Sequence, residues 1–171
     1  MIPTYNREAL LREAVASVVS QTFGDWELIV ADDGSTDETR QYLSEVRDPR
    51  VRPLMLAHCG NAARVRNAAV AQARGTWVAF LDSDDLWHPG KLELQLLRAA
   101  LHPECGWSCT GFEFIDASGS PIPQRAGKPY VAHSGWIAEL LLEFAATATT
   151  QSLMVRRDVL AEVGGFDDAF L

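Results

Sequence analysis

Three short apolar runs limit what this chain can become: "WELIVA" at 26–31, "VRPLML" at 51–56 and "TWVAFL" at 76–81. Each is too short for a helix and rich in Val, Leu or aromatic side chains, as strands are. Between them the apolar residues switch to helical spacing. From Arg7 to Gln21, Leu11, Val15, Val18 and Val19 share one helical face, with Asn6 as the predicted N-cap and Gly24 just past the end. In "DDGSTDETRQYL", Ser35 and Glu38 form a predicted capping box that starts a second helix. Asn61 is placed to cap "AARVRNAAVAQAR", which Gly75 closes, and Pro89 suits the first position of a helix through "GKLELQLLRAAL".

The β-α-β-α-β-α order predicts an α/β fold: a mainly parallel sheet flanked by helices on both faces. The nearly all-apolar 76–81 run fits a strand covered on both sides, whereas Pro53 lacks a ladder donor and points to an edge or a bulge. After residue 100 the pattern loosens. It reads as a strand over 106–116, a turn at "ASGSP", a polar loop over 119–133, a helix over 135–144, a strand over 147–155 and a short helix over 157–163. With 171 residues and no linker or repeat, a single domain spanning 1–171 is expected, its first half being 1–100 and its second 101–171.

Composition removes several function classes. The formal net charge of -8 opposes binding to a nucleic-acid backbone, so no nucleic-acid partner is expected. Three cysteines cannot all pair internally, and His102, Cys105 and Cys109 lack the spacing of a zinc site, so small buried thiols are the plainer reading. No apolar run of about 18 residues occurs, so no membrane span is expected in this chain. The start "MIPTYNRE" has no signal-peptide pattern, which places the protein in the cytoplasm, with the inner face of the membrane reached through other segments or partners.

The chemistry-bearing residues lie after the apolar runs. In open α/β sheets, ligands bind beyond the carboxyl ends of the strands. Asp32 and Asp33 follow "ELIVA", and Asp82, Asp84 and Asp85 follow "WVAFL". Three carboxylates in four positions repel one another unless a cation lies among them. Mg²⁺ or Mn²⁺ would relieve that repulsion and complete its shell with a substrate diphosphate. A turn Asp or a helix-capping Asp needs no such partner, but a single cap does not account for three. Walker, dinucleotide-binding and hydrolase-elbow motifs are all absent.

Four blocks, "IPTYNRE", "QTFGDWELIVADDGSTDET", "ARVRNAAVAQARGTWVAFLDSDD" and "MVRRDVLAEVGGFDD", together resemble the family 2 glycosyltransferases of the GT-A fold, in the right order along almost the whole chain. The resemblance implies a nucleotide-diphosphate-sugar donor, commonly a UDP-sugar, and metal-dependent transfer with inversion at the anomeric carbon. By position, Pro3, Thr4 and Tyr5 would lie beside the base, Tyr5 packing on its ring, and Asp33 would accept a hydrogen bond from it. Asp82 would meet the ribose or donor sugar, and Asp84 would bind the metal, Mn²⁺ or Mg²⁺. Asp85 would orient a metal-bound water or shape the acceptor side. Arg64 and Arg66 sit about 200° apart on their helix, so at most one of them faces the phosphates, with Arg64 favoured. Residues 1–100 become the donor half and 101–171 an incomplete acceptor half; Trp87, Trp107 and Trp136 are candidates for stacking on sugars.

The resemblance also implies departures. The usual general base, an acidic residue, lies beyond the "GGFDD"-like block, past Leu171, leaving Asp167 and Asp168 as substitutes. Few residues precede "IPTYN", so a shortened first strand is expected. Both features suit a truncated piece of a longer transferase. The acceptor, a glycan, a lipid or another molecule, is not named by the residues. The alternative is a catalytically incomplete fragment that only binds nucleotide-sugars. A haloacid-dehalogenase-type phosphohydrolase is a further rival, because "VAFLDSDD" is also a D-x-D after a strand, though here it falls mid-chain.

Overall fold

The structure, a computed structural model, describes residues 1–122 and 148–169. Strands β1 (Ile2–Thr4), β2 (Leu28–Asp32) and β3 (Val51–Met55) pair in parallel, with β2 in the middle. Strands β4 (Trp77–Ala79) and β5 (Trp107–Cys109) both pair antiparallel with β6 (Leu153–Arg156). Met1 links the two groups. Its amine donates to Ala79 O at 2.7 Å and its carbonyl accepts from Leu81 N at 3.1 Å, the alternation of a parallel ladder. The strands thus run in the order β3-β2-β1-β4-β6-β5, and among the described strands β6 is the antiparallel one. The expected mainly parallel α/β sheet is what forms.

Helices α1 (Glu8–Val19), α2 (Thr39–Glu45), α3 (Ala62–Gln72), α4 (Lys91–Leu101) and α5 (Arg157–Glu162) cover the sheet. The side-chain alternation of β2 shows how both faces are used. Leu28 and Val30 join Leu11, Val15, Val18, Leu43 and Leu92 in one core, while Ile29 and Ala31 join Val65, Ala69, Phe80 and Leu160 in another. Because β2 is buried on both faces, all five of its residues are buried. Pro53 sits in the edge strand as expected. The register that sends Leu56 N to Asp32 O turns the nitrogen of Pro53 to the open side.

Several local expectations change. Asn6 does not cap α1, whose N-cap is Arg7 with no side-chain cap bond. Asn6 instead has a φ of 50° and accepts from Thr36 N at 2.7 Å, tying the β1 loop to the β2 loop. The Ser35–Glu38 capping box does not form, because Ser35 Oγ accepts from Asn6 N at 2.9 Å, and α2 starts at Thr39. Pro89 lies just ahead of Gly90, the N-cap of α4, and Asn61 caps α3 as expected, accepting from Arg64 N at 3.1 Å. The 106–116 strand shrinks to Trp107–Cys109, and that of 147–155 to Leu153–Arg156, preceded by a 3-10 turn, Thr150–Ser152. The cysteines are not buried: Cys59 is exposed, and Cys105 and Cys109, beside the edge strand β5, are half-buried. The predicted 135–144 helix, with Trp136, lies outside the described residues.

A cavity of about 600 Å³ lies at the amino ends of β2 and β4, lined by Met1, Leu28, Ile29, Trp77, Val78 and Ala79 among others. Counting back from the pairing of Ile2 with Val30, Met1 lies opposite Ile29, and Leu28 and Glu27 line the cavity beyond it. Burial drops the Met1 ammonium to about 5, aided by the charge of Lys91. Joining two or three apolar residues ahead of Met1 is expected to fill this slot, turn the buried amine into an amide and raise the melting temperature by several degrees. An unchanged melt would show that the cavity does not take extended chain.

Candidate functional site

The acidic loops gather at the other end of the sheet, beyond the carboxyl ends of β1, β2 and β4. Asp32 and Asp33 are adjacent but differ in role. Asp32, with no exposed surface, accepts from Ser35 N at 3.1 and 3.2 Å and from Arg40 Nε at 2.9 Å, which builds the turn. The Asp33 carboxylate accepts from Cys59 N at 2.8 Å and Gly60 N at 2.9 Å, which brings the 57–60 loop over the end of β2. Burial works to raise this carboxyl, but those two N–H groups, the Cys59 thiol and the His58 ring hold it below the ordinary carboxylate range.

Gly34 makes that approach possible. Its φ is +77°, and a Cβ there would stand 2.7 Å from His58 N and 2.8 Å from His58 Cβ. Gly34→Ala is therefore expected to lose about 1–3 kcal/mol and to displace the 57–60 loop. An unchanged urea midpoint would refute the close-approach requirement.

Tyr5, 40% exposed at the end of β1, stacks on the His58 ring with centroids 4.2 Å apart and planes 19° from parallel. Pro3 is half-buried in β1 opposite Ala31. Thr4 is buried, and its Oγ1 has no hydrogen-bond partner among the described residues.

The second acidic turn is not left to repel itself. Arg7 forms an ion pair with Asp84, and Arg66 Nη2 lies 2.6 Å from Asp82 Oδ1. Asp85 is raised, by burial first and then by the charges of Asp84 and Asp82, and the turn sets three carboxylates against two arginines, a formal surplus of negative charge. Among the described residues no three His, Cys, Asp or Glu side chains converge as a metal cluster. A divalent ion that takes one carboxylate and completes its shell with diphosphate and water needs no such cluster. Asp84, nearly half exposed and beside this surplus of negative charge, fits that part.

The two α3 arginines diverge as helical spacing requires. Arg64 Nε meets Asp168 Oδ2 at 3.0 Å on the surface, whereas it is Arg66, only 16% exposed, that reaches the acidic turn. Arg66 Nε is buried without a hydrogen-bond partner among the described residues, and its guanidinium lies 5.5 Å from the Phe166 ring. Asp168 is drawn to the α3 start, its carbonyl accepting from Asn61 Nδ2 at 3.0 Å, while Asp167 Oδ1 accepts from Ala169 N at 2.9 Å. Trp87 is core, 7% exposed with its Nε1 donating to Gln151 O at 3.1 Å, and Trp107 is half-buried in β5.

Sequence reasoning missed Arg7 and His58 and preferred Arg64 to Arg66. The "TYNR" spacing places Arg7 at the start of α1, but nothing local says it crosses to a turn 77 residues away.

The profile of Glycosyl transferase family 2 matches residues 1–163. The chain belongs to this family. A Bacillus subtilis relative, the "putative teichuronic acid biosynthesis glycosyltransferase TuaG", is 39% identical over 129 residues, covering 74% of this chain and 51% of its own length. An Escherichia coli relative, "UDP-Glc:alpha-D-GlcNAc-diphosphoundecaprenol beta-1,3-glucosyltransferase WfgD", is 43% identical over 96 residues, 56% of this chain and 38% of its own. The chain thus spans about half or less of these relatives. Among solved structures, S. aureus TarS 1-349 in complex with UDP superposes with a TM-score of 0.75 at 25% identity, over 97% of this chain and 48% of that one. The mannosyltransferase PcManGT from Pyrobaculum calidifontis, in complex with GDP-Man and Mn2+, shares the fold with a TM-score of 0.71 at 23% identity, over 98% of this chain and 46% of that one. This family 2 chain therefore has the GT-A fold that its motifs implied. No helix among the described residues is long and apolar enough to cross a membrane.

Proposed function

We propose that this family 2 chain transfers a sugar, with inversion, from a nucleotide-diphosphate donor, UDP-linked in the first instance, with Mn²⁺ or Mg²⁺ as cofactor. One observation carries the reading: Tyr5 and Asp33, able to hold a base, share the carboxyl end of the sheet with the Asp82–Asp85 turn and with the arginines Arg7 and Arg66. TarS with UDP and PcManGT with GDP-Man and Mn2+ support a nucleotide and a divalent ion in this fold. The name of WfgD suggests a diphosphoundecaprenol-linked saccharide as acceptor.

Each residue then has a task. Tyr5, flanked by Pro3 and Thr4, stacks on the base, and Asp33 accepts a ring N–H from it. Asp82 meets the ribose or the donor sugar. Asp84 would hold the divalent ion, which when bound supplies Lewis-acid stabilisation of the leaving diphosphate. Arg66 adds positive charge where the breaking anomeric C–O bond leaves negative charge on the phosphate, a role in which it replaces Arg64. The acceptor hydroxyl attacks the opposite face of the anomeric carbon and gives its proton to a carboxylate. Asp167 and Asp168 are the carboxylates at hand. Asp168 is paired with Arg64, while Asp167 accepts from Ala169 N.

Transfer is favoured over binding alone because the relatives named above are glycosyltransferases. The test is calorimetric titration of UDP with and without Mn²⁺, followed by incubation of UDP-sugars with a lipid-diphosphate saccharide. Metal-dependent binding with sugar transfer is expected. Binding without transfer would reduce the chain to a donor-binding unit, and no nucleotide binding would overturn the reading.

A further inference from the structure

The base site proposed above is filled by one of the chain's own side chains. His58 lies flat on Tyr5, and its Nδ1 lies 2.8 Å from Asp33 O and 3.0 Å from Asp33 Oδ2. A nucleobase with a ring N–H would use the same two partners in the same way: a π-face against Tyr5 and a nitrogen-bound proton towards the Asp33 carboxylate. The imidazole covers the same face of Tyr5 with a smaller ring, its Nδ1 hydrogen-bonding at the Asp33 carbonyl and standing 3.0 Å from the Asp33 carboxylate, where it blocks the edge a base would use. With centroids 4.2 Å apart, the two rings leave no room for a third between them.

The loop is built so that this ring can leave without dismantling the site. Asp33 is oriented by the backbone N–H groups of Cys59 and Gly60, and the backbone of His58 is packed against Gly34. Neither hold involves the imidazole. The His58 side chain is half exposed, and residues 57–60 all lie at the surface. Rotation about the side-chain bonds of His58 would therefore free Tyr5 and one edge of Asp33, while the carboxylate keeps its orientation.

We propose that His58 is an internal surrogate for the nucleobase, which the base of a nucleoside diphosphate must displace to bind. This inference rests on the donor-site reading. It makes His58 a determinant of affinity and of base choice, since a base must outcompete the imidazole for both partners. The fraction of molecules with the ring already swung out scales the apparent affinity.

The test is calorimetric titration of UDP and GDP, with Mn²⁺, into the wild type, His58→Ala and His58→Phe, with thermal melts as a check on folding. His58→Ala is expected to bind UDP roughly tenfold more tightly with a similar melt, as a competent fraction near one in ten would give. His58→Phe keeps the stack and loses the N–H, so it should fall between the two. In the wild type, the imidazole carbon-bound proton signals should shift during UDP titration and saturate with the same dissociation constant, a readout that needs no variant. Equal or weaker UDP binding by a folded His58→Ala, or imidazole signals unmoved at saturation, would overturn the surrogate role while leaving the donor site standing. No binding of UDP or GDP by any of the three proteins would overturn the donor-site reading and this inference together.

Discussion

Asp84→Ala is expected to remove the metal dependence of UDP binding, lowering affinity in the presence of Mn²⁺ by about 100-fold or more, since even outer-shell partners of metal ligands cost 10–100-fold. The substitution has a second effect at the same site. Arg7, now paired with Asp84 on the surface, loses its partner and can turn towards the diphosphate. Residual, metal-independent binding should therefore survive, and it should weaken further in Arg7→Ala/Asp84→Ala. Stability should change little, because an exposed ion pair contributes about 0–1 kcal/mol. Titration of UDP at several Mn²⁺ concentrations decides the matter. If the variant keeps the Mn²⁺ dependence of the wild type, Asp84 is not the metal ligand.

The second large effect concerns Lys91, at the start of α4. Its side chain is buried, Nζ donates to Gln95 Oε1 at 2.6 Å, and the ammonium lies 4.3 Å from the centre of the Trp87 ring. Burial lowers this amine from 10.5 to about 7. In the unfolded chain it keeps its proton up to its ordinary value, so between about 7 and 10.5 the unfolded state binds more protons than the folded one. Folding stability should therefore rise with pH across that window; as pH falls from about 10.5 the gain is lost progressively and is gone near pH 7, below which the amine is charged in both states. The full effect is of order 5 kcal/mol, at about 1.4 kcal/mol per pH unit, less what Trp87 returns to the charged form. Urea unfolding between pH 7 and 9.5 reads it below the range where Tyr42, raised by burial, would oppose the trend. Lys91→Met should flatten the rise. Equal slopes in both proteins would show that Lys91 stays charged when folded.

Much of the fold was legible because the signals were local. The apolar runs at 26–31, 51–56 and 76–81 became β2, β3 and β4; the central β2 is apolar nearly throughout because it is buried on both faces. Asn61 capped α3 because its oxygen needs only a backbone N–H three residues on. Caps failed where the same atoms had a better partner far along the chain. Asn6 and Ser35 each read as a local N-cap, yet they bond to each other's loops across 29 and 30 residues. The strands expected over 106–116 and 147–155 were overlong because the segments that became β5 and β6 pair antiparallel with each other over only Trp107–Cys109 and Leu153–Val155.

The site divides along the same line. Acidic residues after apolar strands are visible in one dimension, so Asp33, Asp82, Asp84 and Asp85 could be singled out from residue order and from the family resemblance. Their partners could not. Arg7 reaches Asp84 across 77 residues, His58 reaches Asp33 across 25, and Arg66 rather than Arg64 faces Asp82 because of how α3 packs on the sheet. Spacing along a helix says that two arginines point apart, but not which one points inward, since that depends on the rotation of α3 against β1 and β2. The sequence by itself determined which segments of the first hundred residues are strands and helices, that the sheet is mainly parallel, and the chemistry at the strand ends. Only the tertiary structure decided which charges meet, because an ion pair or a ring stack depends on distances of a few ångströms between loops that the chain order leaves far apart.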